Sequence, residues 1–78
     1  MEKVYNKKYI VGINHNGKEI FYDRVNEDNI DFVGIRSKAR KFSNEGGANF
    51  VKVFLKGKGY DAWVETFYVL KEELKINW

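Results

Sequence analysis

SNEGGANFVKVFLKGKGYDAWVETFYVL, residues 43–70, decides the fold, because it reads as one helix feeding a long strand through the Gly57-Lys58-Gly59 corner. Gly47, Phe50, Val51, Phe54 and Leu55 fall at i, i+3, i+4, i+7 and i+8, so they share one apolar face of a helix. Ser43 is placed to cap the first turn. Glu45 lies where the helix dipole favours a carboxylate, and Lys56 and Lys58 lie where it favours cations. Gly57 or Gly59 supplies the left-handed stop. A competing pattern runs through the same residues: Val51, Val53 and Leu55 alternate, and each glycine of Gly46-Gly47 weakens a helix by about 1 kcal/mol. Read as a strand, this segment turns the corner into a hairpin and the protein into an all-β meander. The cap, dipole and stop signals agree with one another, so the sequence favours the helix.

Downstream, Tyr60 to Leu70 is the longest strand candidate. Ala62, Val64, Tyr68 and Leu70 lie on one side of it, and Trp63, Phe67 and Val69 on the other. Lys71 to Trp78 reads as a terminal helical turn, since Leu70, Leu74 and Trp78 recur at a four-residue spacing. Upstream, Tyr9–Asn14 and Glu19–Val25 flank His15-Asn16-Gly17-Lys18, and Asn-Gly between alternating apolar runs is a hairpin signal. A two-residue turn sets the register: Ile13 opposes Ile20, Gly12 opposes Phe21, and Val11 opposes Tyr22. Asn26 to Asp31 is polar and acidic and reads as a loop. Phe32 to Ser37 reads as a short third strand, and the basic run Ser37 to Phe42 as a strand extension or a single helical turn. The predicted architecture is α+β: a small, mostly antiparallel sheet of three to four strands, with one helix on one face.

The 78 residues make one domain, 1–78, whose 17% aromatic content offsets its small size by burying large rings. Cysteine is absent and His15 is the single histidine, which excludes disulfides and thiol chemistry and leaves no donor set for a structural zinc. No metal or cofactor is expected. No charge-free run approaches the length of a membrane span, and Met1-Glu2-Lys3-Val4-Tyr5 lacks the apolar core of a signal peptide, so a cytoplasmic protein is expected. The overall charge of +3 is uneven: residues 34–58 hold seven Lys/Arg against Glu45 alone.

One helix covers one face of such a sheet. It should take Val11, Ile13, Ile20, Tyr22, Val64 and Tyr68, leaving Ile10, Phe21, Trp63 and Phe67 on the other face in need of a cover. Three readings follow: the tail from Lys71 to Trp78 folds back over that face; a protein partner or a second copy docks there; or its aromatics stack single-stranded nucleic acid. On the docking reading, Trp63→Ala weakens association and leaves the fold intact. Arg36, Lys38, Arg40, Lys41, Lys52 and Lys56 form the corresponding nucleic-acid patch, with the solvated rim of a small domain as the plainer explanation. Gly46-Gly47 falls short of a phosphate-binding fingerprint and reads as close packing of the helix on the sheet. Asp23, Glu27, Asp28 and Asp31 match no calcium loop. His15 beside a turn, with Ser37 and Ser43 distant in sequence, makes a poor catalytic inventory, so no enzyme is expected.

Lys38-Ala39-Arg40-Lys41-Phe42-Ser43, then Ala48, Phe50 and Leu55, then Lys58-Gly59-Tyr60-Asp61-Ala62-Trp63-Val64-Glu65, resembles a phrase in small uncharacterised proteins of phages and mobile elements, where it also follows an N-terminal hairpin. More faintly, it is similar to the strand-helix-strand half of SPOR-type peptidoglycan-binding repeats, although a full SPOR domain has two such units. The first resemblance implies a compact accessory protein that acts by binding, often to a host protein. No functional residue is carried over from it. The expected function is therefore non-enzymatic: docking of a protein partner or self-association through Ile10, Phe21, Trp63 and Phe67, with nucleic-acid binding through the basic 36–58 segment as the alternative.

Overall fold

Asn16 and Gly17 both take positive φ, 54° and 84°, the pair a type I′ hairpin turn requires, and the Asn14 carboxamide oxygen accepts the Gly17 N–H at 3.0 Å. The turn joins β1 (Tyr5–His15) to β2 (Lys18–Asn26) in the computed structural model, which describes residues 4–70. A second tight turn, with Glu27 at φ 59°, leads to β3 (Asn29–Val33). A single 3₁₀ turn at Arg36–Lys38 follows, then α1 (Glu45–Gly57) and β4 (Asp61–Leu70). The four strands form one antiparallel sheet in the order β3-β2-β1-β4, and α1 lies over the β1–β4 seam, so the architecture is α+β.

The 43–57 segment is helical, but two local assignments change. Its cap is Asn44, whose side-chain oxygen accepts the Gly47 N–H at 2.9 Å; the Ser43 hydroxyl instead accepts from Lys8 at 3.4 Å. The left-handed residue at the stop is Gly59, φ 97°. More consequentially, the stripe turned to the sheet is Ala48, Val51 and Leu55: Val51 and Leu55 are where the sequence put them, but Phe50 and Phe54 of the expected stripe face outward and Ala48 takes their place. Both stripes satisfy the helical period. The small Ala48 side lets the helix seat closely on Val11, Ile13 and Ala62, while Gly47 lies against the Phe42 ring, where an added Cβ would meet Cδ1 at 3.2 Å.

The hairpin register is as expected at Ile13↔Ile20 and Gly12↔Phe21, but the ladder stops there and Val11 does not pair with Tyr22. Beyond that point β2 follows β3, with an irregularity between Tyr22 and Arg24, while β1 continues along β4 in unbroken register from Asn14↔Asp61 to Tyr5↔Leu70. The two hairpin strands therefore part like a V. The chain between β3 and α1 enters the opening: Arg40 N–H donates to the Tyr22 carbonyl at 2.9 Å, and Tyr9 and Phe42 exchange both backbone hydrogen bonds at 3.0 and 2.8 Å. These bonds satisfy strand groups that the parting would otherwise leave without partners.

Ala39 belongs to the cluster on one face of the sheet and Phe42, stacked 6.3 Å from Tyr22, to the cluster on the other, so the connection passes through the sheet plane. The third strand begins earlier than its sequence suggests, at Asn29 rather than Phe32, because the turn that the acidic run forms is only Glu27-Asp28. The expected terminal helical turn and fold-back of residues 71–78 lie outside the described residues.

Candidate docking surface

Ile10 and Phe21, expected on an open docking face, are 0% and 2% exposed, so that assignment is corrected. Their cover is the basic segment itself. Ala39 is buried against them, with Val33 and Phe67 completing the cluster. The Arg36 guanidinium lies 4.8 Å from the centre of the Phe21 ring, and the Lys41 ammonium 5.2 Å from that of Phe67. Trp63 and Phe67 are half-buried, and the Trp63 indole lies across Gly12. The two candidate sites, aromatic face and basic run, are thus two sides of one internal contact. The charged heads themselves lie over the rings, so cation–π attraction is part of the cover.

Arg36 donates to both Glu65 and Glu19, and Glu65 also accepts the Trp63 indole N–H at 2.8 Å. Burial pushes the Glu65 carboxyl up, but the hydrogen bonds from Arg36 and Trp63 and the charge of Arg36 outweigh it and leave the carboxyl below its ordinary value. The hydrogen bond to Glu65, followed by the charge of that carboxylate, raises Arg36 in turn. A carboxyl depressed by folding contributes stability above its unfolded value, and that contribution is lost as pH falls through the folded value. Glu65→Gln should therefore flatten the fall in urea midpoint between about pH 5 and pH 3; a fall as steep as the parent's would show that Glu65 is not depressed.

Of the remaining basic candidates, Lys41 donates to the Ser37 and Ala39 carbonyls, Lys38, Arg40 and Lys56 are exposed, and Lys52 is half-buried on α1. The patch is therefore divided: Arg36 and Lys41 serve the fold, and Lys52 and Lys56 sit on the helix. His15 borders a shallow apolar cleft with Ile13, Ile20, Ile30, Phe32 and Tyr60. Among the described residues no three carboxylate or imidazole groups converge as a cation cage needs, Asp23, Glu27, Asp28 and Asp31 included.

The surface that stands out is the outer face of α1. Phe50 is 75% exposed, Val53 58% and Phe54 38%, at i, i+3 and i+4. Lys58 places its ammonium 5.4 Å from the Phe54 ring centre, so the stripe ends in a cation at the helix C-terminus, and Glu45 marks the other end. The sequence contained the signal, since Ala48, Phe50, Val51, Val53, Phe54 and Leu55 wrap more of the helix than one sheet face can cover. Assigning Phe50 and Phe54 to the core hid it. Compared with protein-family models, with curated proteins and with solved structures, the chain finds no match in any of the three.

Proposed function

We propose that this protein is a docking module, which presents the Phe50-Val53-Phe54 face of α1 to an apolar groove on another protein. The observation that carries the reading is the exposure of Phe50 beside Val53 on a helix whose other side already has its core contacts. Anchors at i, i+3 and i+4 suit a helix laid in a groove, and clustered exposed apolar side chains mark interaction surfaces. Lys56 and Lys58 near one end favour a groove with carboxylates on its rim. The resemblance of the 38–65 phrase to phage and mobile-element proteins supports an accessory role of this binding kind.

The division of the basic run, with Arg36 and Lys41 committed to internal contacts, leaves the nucleic-acid alternative fewer free cations.

A photoreactive phenylalanine analogue at position 50 should give a discrete adduct with another protein in the native host, lost when Val53→Asp disrupts the stripe. The same analogue at Ile35, which is exposed without apolar neighbours on a helix face, is the control. Equal adduct yields at 50 and 35 would overturn the reading. Phe50→Ala should meanwhile change stability by no more than about 0.5 kcal/mol, since it removes little buried surface.

A further inference from the structure

The two edges of the sheet are unlike. β3 is short, five residues, lies beside the Tyr22/Arg24 irregularity and carries Asp31 in an ion pair with Arg24 at 3.2 Å. These are devices that blunt an edge against pairing. β4 is ten residues long, keeps unbroken register with β1, and contains neither lysine nor proline. Among the described residues no strand pairs its outer side. The far half of β4, with Tyr5–Lys8 of β1, forms a two-stranded ribbon after β2 has turned away, and such ribbons are marginal alone. Tyr68 and Leu70 lie there on the helix side of the sheet, 58% and 47% exposed. At about 1.5 Å per residue, α1 runs out of length before reaching them.

We propose that β4 pairs antiparallel with β4 of a second copy about Thr66, joining two four-stranded sheets into one of eight. The strand is self-complementary in this register. On the helix side Val64 meets Tyr68 of the second copy, Ala62 meets Leu70, and Thr66 meets Thr66. On the other side Trp63 meets Val69 and Glu65 meets Phe67. Centring the pairing on Glu65 would oppose two carboxylates, which disfavours that register.

Pairing about Thr66 also lays each ribbon along the other copy's body. The half of β4 that α1 covers in one copy comes beside the uncovered half of the other. Gly47 faces Phe42 on the β2 side of α1, and Lys56, about two and a half turns later, lies on the opposite flank toward the free edge. Lys56 and Lys52 of one copy are thereby brought toward the exposed Tyr68 ring of the other, a cation over an aromatic face. This contact leaves the Phe50 stripe of each copy open, so the dimer is independent of the docking function proposed above.

Light scattering after gel filtration tests the pairing on the full chain. The expected mass is twice the 9.2 kDa of the chain as concentration rises. Thr66 is exposed, so Thr66→Lys should keep the far-UV spectrum of the parent while returning the mass to one copy, and its urea midpoint should match that of the parent at concentrations low enough to be monomeric, without the parent's rise with concentration. Amide exchange along β4 should slow with concentration in the parent and not in Thr66→Lys. A single-copy mass at every concentration up to about 1 mM would overturn the proposal. A dimer that survives Thr66→Lys and is abolished by Phe50→Asp would overturn it equally, by moving the contact to the helix.

Discussion

Phe21→Ala is expected to lower the free energy of unfolding by about 3–5 kcal/mol, read as a shift of the urea transition. The ring is 2% exposed and sits on the face of the sheet away from α1, packed with Ile10 and Ala39 and overlaid by Arg36. Truncation removes the surface on which the 36–42 crossing rests, so the loss includes a cavity as well as the transfer of a ring. A domain of this size has about 4–12 kcal/mol in all, so the variant should be only marginally folded at room temperature. The opposite result, a loss below about 1 kcal/mol with the fold retained, would mean that the crossing segment leaves that face and that Phe21 is a surface residue. Phe50→Ala, in a ring of equal size, is the matched comparison, and the gap between the two should be at least about 2 kcal/mol.

Gly12→Ala should destabilise by about 1–3 kcal/mol through overpacking. Gly12 opposes Trp63 across the β1–β4 ladder, and an added Cβ would lie 2.7 Å from Cζ2 and 2.8 Å from Cε2 of the indole. The indole has little freedom to retreat, since its N–H is bonded to Glu65, which in turn is held by Arg36. Moving the ring therefore disturbs a hydrogen-bonded chain as well as a contact. The signature is coupling: in a Trp63→Leu background the added methyl should be tolerated, so the double variant should be less destabilised than the sum of the two single changes. Additive losses would show that the glycine serves the backbone rather than the ring.

These two residues show how the second face was legible and how it was misassigned. Alternation along β1, β2 and β4 placed Ile10, Phe21, Trp63 and Phe67 on one side, where the structure has them. The need for a cover was equally plain from counting one helix against two apolar faces. The cover itself was hidden, because a run of Arg36, Lys38, Arg40 and Lys41 looks like a solvated or phosphate-binding segment. Only Ala39, an unremarkable residue among charges, marks the point where the chain is buried.

Local order was determined by the sequence alone. Asn16-Gly17 takes the one turn its φ preferences allow, the 45–57 helix carries its own cap and stop, and the two-residue period of 61–70 makes a strand with two apolar sides, since each of these depends on neighbours a few residues away. Tertiary structure alone decided which of two overlapping helical stripes meets the sheet, and that the basic segment passes between the parting strands to close the second face. Both choices are competitions between surfaces distant in sequence. Close approach at Gly47 and Ala48 against Phe42 and Ala62 favours one stripe over the other. Unpaired groups at Tyr9 and Tyr22 recruit the crossing chain to the second face, while the choice of stripe leaves Phe50, Val53 and Phe54 facing outward.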